Sequence, residues 1–125
     1  MKTLVTGGAG FIASHLVKRL LKEGREVIIP DDLFKGSRQN LLDLGLDVEL
    51  MSIDLRDYDQ VSKLIRAAVH VFHLAGRVGN IEYLHGSEMS EFEALHTNLS
   101  IEIDVLRMLH KEHPDEHALE KAHIN

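Results

Sequence analysis

Lys2-Thr3-Leu4-Val5-Thr6-Gly7-Gly8-Ala9-Gly10-Phe11-Ile12-Ala13-Ser14-His15 decides the fold of this chain. A short apolar run, Lys2 to Thr6, reads as a β-strand and stops at a glycine cluster. From Phe11 the residues Phe11, Ile12, Leu16, Leu20 and Leu21 recur at helical spacing. A strand, a glycine turn and a helix in direct succession let the main chain approach a diphosphate closely. Gly8-x-Gly10-x-x-Ala13 has the spacing of the dinucleotide fingerprint, whose third position is Gly or Ala. The same residues also read Gly7-x-x-Gly10-x-x-Ala13. Gly7 and Gly8 are expected to take dihedrals that a side chain forbids. Gly10 leaves room for a pyrophosphate, and Ala13 is small enough for close helix–strand packing. The amides opening the helix would then face the diphosphate, aided by the helix dipole.

Working outward, Lys22-Glu23-Gly24 closes the first helix, with Gly24 as its cap. Glu26 to Pro30 is a second strand, with Pro30 tolerable only at its end. A weaker helix runs from Gly36-Ser37 to Leu44 and ends at Gly45. Asp47 to Ile53 is a third strand, and Asp57 caps a helix carrying Val61, Leu64 and Ile65 on one face. Val69 to Ala75 is a fourth strand, a loop covers 76–86, and a long helix spans Ser90 to Lys111. Glu88, Glu91 and Glu93 form its acidic start. After Pro114 the pattern decays, and His110 to Asn125 shows no apolar β run. The domain is placed at residues 1–112, with 113–125 as a C-terminal tail.

Strands that alternate with helices imply an α/β fold: a parallel sheet with right-handed crossovers. About four strands in the order 3-2-1-4, with helices on both faces, give a Rossmann-type sheet whose C-terminal half is missing. At 125 residues the chain is one domain, about half of a complete doubly wound fold.

A net charge of -6 argues against nucleic acid and anionic membranes as partners. The absence of cysteine excludes disulfides and thiolate chemistry. With neither a membrane-length apolar run nor a secretory signal, a soluble cytoplasmic protein is the default.

The second strand ends in Asp31-Asp32, and Asp31 lies 21 residues after Gly10. A carboxylate at about 20 residues accepts the adenosine ribose hydroxyls and repels a 2′-phosphate, so NAD is favoured over NADP. Lys35 and Arg38, just downstream, are placed to meet a phosphate. Asp54-Leu55 and His73-Leu74-Ala75-Gly76 fall at the same carboxyl edge. Each of these taken alone is an ordinary strand-to-loop junction.

This ordered series, with Asp31-Asp32-Leu33 and Gly36, Asp54-Leu55-Arg56-Asp57, Phe72-His73-Leu74-Ala75-Gly76 and Asn98 in the long helix, resembles the extended short-chain dehydrogenase/reductase family, the NAD-dependent epimerases and dehydratases of nucleotide sugars. The match covers residues 1 to 110. Val78-Gly79-Asn80-Ile81-Glu82-Tyr83 resembles the loop after the fourth strand in enzymes acting on GDP- or other NDP-sugars. The resemblance implies cofactor contacts at Gly7, Gly10, Phe11, Ile12, Asp31, Asp32, Asp54, Leu55, Leu74, Ala75, Gly76 and Asn98. Two small departures are Ala13 in place of Gly and Ala68-Val69-His70 where the family often has an acidic residue.

The large departure concerns catalysis. The family uses a Ser or Thr after the fifth strand and a Tyr-x-x-x-Lys pair, in which Lys lowers the Tyr pKa for proton exchange. The tyrosines here are Tyr58 and Tyr83, followed at +4 by Ser62 and Ser87. No catalytic residue is therefore assigned. The expectation is the NAD-binding portion of a nucleotide-sugar epimerase or dehydratase, truncated and not competent alone. An uncovered fourth strand would then leave Val69, Val71, Phe72 and Leu74 partly exposed. Homo-oligomerisation, marginal stability or a complementary C-terminal polypeptide is expected with it.

Two other readings stay open. One is a stand-alone, non-catalytic dinucleotide sensor or interaction module, which requires a well-covered fourth strand. The other is an enzyme with an unconventional acid/base drawn from His73, Tyr83 or Glu82. His73 reads as a hydrogen-bonded core residue before it reads as a base. His110, His113 and His117 would share a helix face, but Pro114 interrupts them, and no metal is assigned.

Overall fold

The structure is a computed structural model that describes residues 2–76, 88–112 and 122–124. The loop motif from Val78 to Tyr83, together with His113, Pro114 and His117, lies outside the described residues.

The elements run β1 (Lys2–Thr6), α1 (Phe11–Lys22), β2 (Glu26–Asp31), α2 (Arg38–Asp43), β3 (Glu49–Ser52), α3 (Tyr58–Ala67), β4 (Ala68–His73), α4 (Glu88–Glu112) and β5 (Ala122–Ile124). The strands form one sheet in the order β3-β2-β1-β4-β5, and every pairing is parallel. The expected 3-2-1-4 order is present within it. The expectation of no β run after the long helix is corrected: Ala122–Ile124 pairs with Val71–His73. Three residues are too short to display an alternation, and the ladder offered by β4 organises them.

The sheet is covered on both faces, as the alternation in β1 and β2 dictates. Leu4 and Ile28 face a core with Val61, Ile65, Ile101, Val105, Met108 and Leu109, drawn from α3 and α4. Val5, Val27 and Ile29 face a second core with Ala13, Val17, Leu20 and Leu41, drawn from α1 and α2. Full burial of each such aliphatic side chain contributes about 1.5–3 kcal/mol.

Local signals end the elements where expected. Gly24 (φ +77°) follows α1 and Gly45 (φ +69°) follows α2. Ser37 caps α2 by accepting the Asn40 amide, and Asp57 caps α3 by accepting that of Gln60. Strand β2 runs one residue past Pro30, which lies after Ile28, the last β2 residue paired with β1. Strand β3 is shorter than expected, Glu49–Ser52, and its last residue pairs with Asp31 at the end of β2.

Val71 is buried, and Val69, Phe72 and Leu74 are only half-exposed. On α4, Phe92, Leu95, Leu99 and Ile103 are exposed, as are Phe11 and Ile12 at the start of α1.

Candidate functional site

The glycine turn is built from close backbone contact. Gly7 has φ +69°, and a Cβ there would lie 2.8 Å from Ala75 Cα. The main chain of β1 thus runs directly against that of the β4 exit, and the left-handed dihedral also disfavours a side chain. The expectation for Gly8 is corrected: its φ is not positive, and a Cβ would collide with the Ile29 side chain at 2.7 Å. Gly8 is required by packing. Gly10 donates its amide to Gly7 O at 3.0 Å and stands at the N-cap of α1. With no side chain on the cap, the first amides of α1 receive no side-chain acceptor, and the first turn carries no acidic residue.

The turn is gripped from two sides. Asp31 Oδ2 accepts the Ala9 amide at 3.1 Å, and Oδ1 accepts the Leu33 amide at 2.8 Å. The Ala9 carbonyl accepts both the Ser37 amide (3.1 Å) and Asn40 Nδ2 (2.8 Å). A Cβ on Gly36 would fall 2.8 Å from Ala9 C, so the β2–α2 loop lies flat on the turn. Leu33 has φ 59°, a dihedral held by the Asp31 and Asp32 side chains, which accept the amides of Leu33 and Phe34. Burial, the largest cause, raises the Asp31 pKa above its usual range, against the lowering effect of the two amides.

On the other flank, Thr6 Oγ1 lies 2.6 Å from His73 Nδ1 and accepts the Ala75 amide at 3.3 Å. The Leu74 amide donates to Thr6 O at 3.2 Å. Burial lowers the His73 pKa, opposed by the charge of Glu102 on α4. His73 is a hydrogen-bonded core residue, as its place on a buried strand implies.

Between the two flanks opens a cavity of about 430 Å³. Its lining brings together Gly7, Gly10, Phe11 and Ile12 from the turn, Asp31 and Asp32 from β2, and Leu55, Leu74, Ala75 and Gly76 from the sheet edge. Phe11 (78% exposed) and Ile12 (71%) present apolar surface at its mouth. Two expected residues are not in the lining. Asp54 is held by Arg56, whose Nη2 lies 2.7 Å from Oδ2. Asn98 stands at the rim, with Oδ1 3.6 Å from where a Gly76 Cβ would be.

The lining also includes Ala13, Phe34, Lys35, Gly36 and Ile101. Lys35 had been singled out for a phosphate, and Ala13 as the small packing residue. Gly36, a member of the family series though not of the implied contacts, lines the cavity as well, and Phe34 and Ile101 join it without a sequence expectation. Ile101 carries no sequence signal, because nothing local distinguishes it from its neighbours in α4. Among the described residues no cluster of three metal-ligating side chains occurs, and no helix is long and apolar enough to cross a membrane.

The family model of the NAD dependent epimerase/dehydratase family matches residues 3–119. A UDP-N-acetyl-alpha-D-glucosaminuronate decarboxylase of Bacillus cytotoxicus is 37% identical over 78 residues, covering 62% of this chain and 24% of that protein. The structure of a Thermotoga maritima UDP-glucose 4-epimerase with UDP-glucose superposes with a TM-score of 0.74 at 28% identity, over 90% of this chain and 35% of that one. A Thermus thermophilus UDP-glucose 4-epimerase in complex with NAD gives 0.70 at 32% identity, over 90% and 34%. The chain thus spans about a quarter of that curated relative and about a third of those structures.

Proposed function

This chain belongs to the NAD-dependent epimerase/dehydratase family, and on that premise we propose that its glycine-turn cavity binds NAD as the cofactor-holding portion of a nucleotide-sugar oxidoreductase. One observation carries the reading: the glycine turn, the uncapped start of α1 and the Asp31–Asp32 edge converge on a single cavity. The cavity volume falls in the range of roughly 300–1,000 Å³ that small-molecule sites occupy.

In this reading the α1 amides hold the pyrophosphate, with the helix dipole favouring its charge. Asp31 and Asp32 take the adenosine ribose and disfavour a 2′-phosphate. Leu74, Ala75 and Gly76, small or apolar at the strand tip, let the cofactor lie across the sheet edge. NAD supplies hydride acceptance, while these residues bind and orient it. Neither tyrosine among the 125 residues is followed four positions on by lysine, so the chain is assigned cofactor holding and not turnover.

Calorimetric titration with NAD and with NADP tests this. Saturable binding that is tighter for NAD is expected. Undetectable binding of both overturns it.

A second reading is favoured by one observation. A non-catalytic dinucleotide-binding module requires a covered β4, and β5 pairs with β4. NAD binding by a stable monomer that stays inert in the presence of UDP-sugars and any complementary polypeptide would select this module.

A further inference from the structure

We propose that Thr6 and His73 form a positioning pair, in which His73 acts through the Thr6 hydroxyl to set the Gly7–Ala75 approach on which dinucleotide binding depends. The proposal rests on the cofactor reading above. His73 does not line the cavity, so its influence is indirect.

The two residues close the carboxyl ends of adjacent strands. Thr6 ends β1, His73 ends β4, and they are register partners. Both are buried, so neither exchanges its partner for water. The hydroxyl has one proton and two lone pairs. It accepts the Ala75 amide at 3.3 Å and lies 2.6 Å from His73 Nδ1, and in the proposed pair its proton points to Nδ1. The imidazole then carries its own proton on Nε2 and is neutral. Ala75, fixed in this way, is the residue whose backbone meets Gly7 so closely that no Cβ fits. Both Gly7 and Ala75 line the cavity. A shift of Ala75 by a few tenths of an ångström would therefore change the cavity wall itself.

This arrangement depends on the charge state of the ring. On protonation Nδ1 becomes a donor, and the hydroxyl must face two N–H donors with its own proton displaced. Burial opposes that charged form, and Glu102 of α4 is the charged group that favours it. The wall is ordered with the ring neutral and is disturbed in acid.

The test uses the full chain, with NAD as the probe. Calorimetry between about pH 5 and pH 8 spans the histidine range. Thr6→Val removes the hydroxyl at nearly constant shape and is expected to weaken NAD binding about tenfold, the cost of one buried hydrogen bond. Thr6→Ser is expected to restore it. His73→Gln should weaken binding, and combining it with Thr6→Val should add nothing further, because both break one relay. A readout free of NAD accompanies this: the Ala75 backbone amide resonance should follow His73 titration in the wild type and lose that dependence in Thr6→Val. Wild-type NAD affinity in Thr6→Val, additive losses in the double variant, or an Ala75 amide blind to His73 would each overturn the proposal. If the wild type fails to bind NAD, the cofactor reading falls, while the amide titration still decides the coupling. Should Thr6→Val fail to fold, Thr6→Ser and the wild-type titration decide it.

Discussion

Asp31 Oδ2 accepts the Ala9 amide at 3.1 Å, so a carboxylate at the end of β2 holds the glycine turn that follows β1. Its other oxygen holds the Leu33 amide at 2.8 Å. The residue expected to meet a ribose is thus also the brace of the loop that would meet the diphosphate. Binding and loop order are coupled through one side chain.

Removing that brace has a measurable cost. Asp31→Ala leaves the Ala9 and Leu33 amides without their acceptor, and a loss of about 1–3 kcal/mol is expected. Asp31→Asn keeps one acceptor and should lose less. Urea unfolding checks the order, and equal stability of wild type and Asp31→Ala would show the brace to be idle. Asp31→Ala should also relax any preference for NAD over NADP in titrations. Because the folded pKa of Asp31 is raised above 3.8, its contribution favours the fold below that value and fades as pH rises through the folded pKa.

Two glycines with similar dihedrals separate space from conformation. Gly24 has φ +77° and nothing within 4 Å of a Cβ, so Gly24→Ala should cost about 1–2 kcal/mol for the left-handed dihedral alone. Gly7→Ala adds a collision with the Ala75 backbone at 2.8 Å. It should destabilise the chain more and abolish NAD binding. Thermal unfolding of the two variants side by side measures the difference.

His73 sets a sign for acid stability. Its folded pKa lies below the ordinary 6.5, with burial as the larger cause. The unfolded chain therefore binds this proton first, and stability falls as pH drops from about 6.5 toward the folded value. His73→Gln should remove that part of the slope. The quantity to compare is the wild-type minus variant unfolding free energy across this window. A flat difference contradicts the assignment.

Helix α4 should respond differently on its two faces. Met108 is fully buried, and Met108→Ala should cost about 2–5 kcal/mol. Leu99 is 49% exposed, and Leu99→Ala should stay within about 1 kcal/mol. Comparable losses in denaturant melts would mean that α4 is packed on both sides.

Much of this molecule was legible in order along the chain. Short apolar runs placed β1 and β2, helical spacing placed α1 and α3, and Gly24, Gly45, Ser37 and Asp57 marked ends by local chemistry. The strand order followed from the doubly wound dinucleotide fold that the glycine turn implies. The glycine turn and the Asp31 spacing pointed to the edge where the cavity lies. These signals are local, because periodicity, caps and turns depend on residues a few positions apart.

Tertiary structure alone decided the rest. Asn40 reaches Ala9 across 31 positions, Thr6 meets His73 across 67, and β5 forms only because β4 offers an open ladder. Gly8 is needed for the Ile29 side chain and not for its own dihedral. Such contacts depend on which surfaces meet after the layers pack, and no window of sequence carries that information. The sequence by itself determined a strand, a glycine turn and a helix of dinucleotide type. Packing determined how that turn is held, by Asp31 on one side and by Thr6 with His73 on the other.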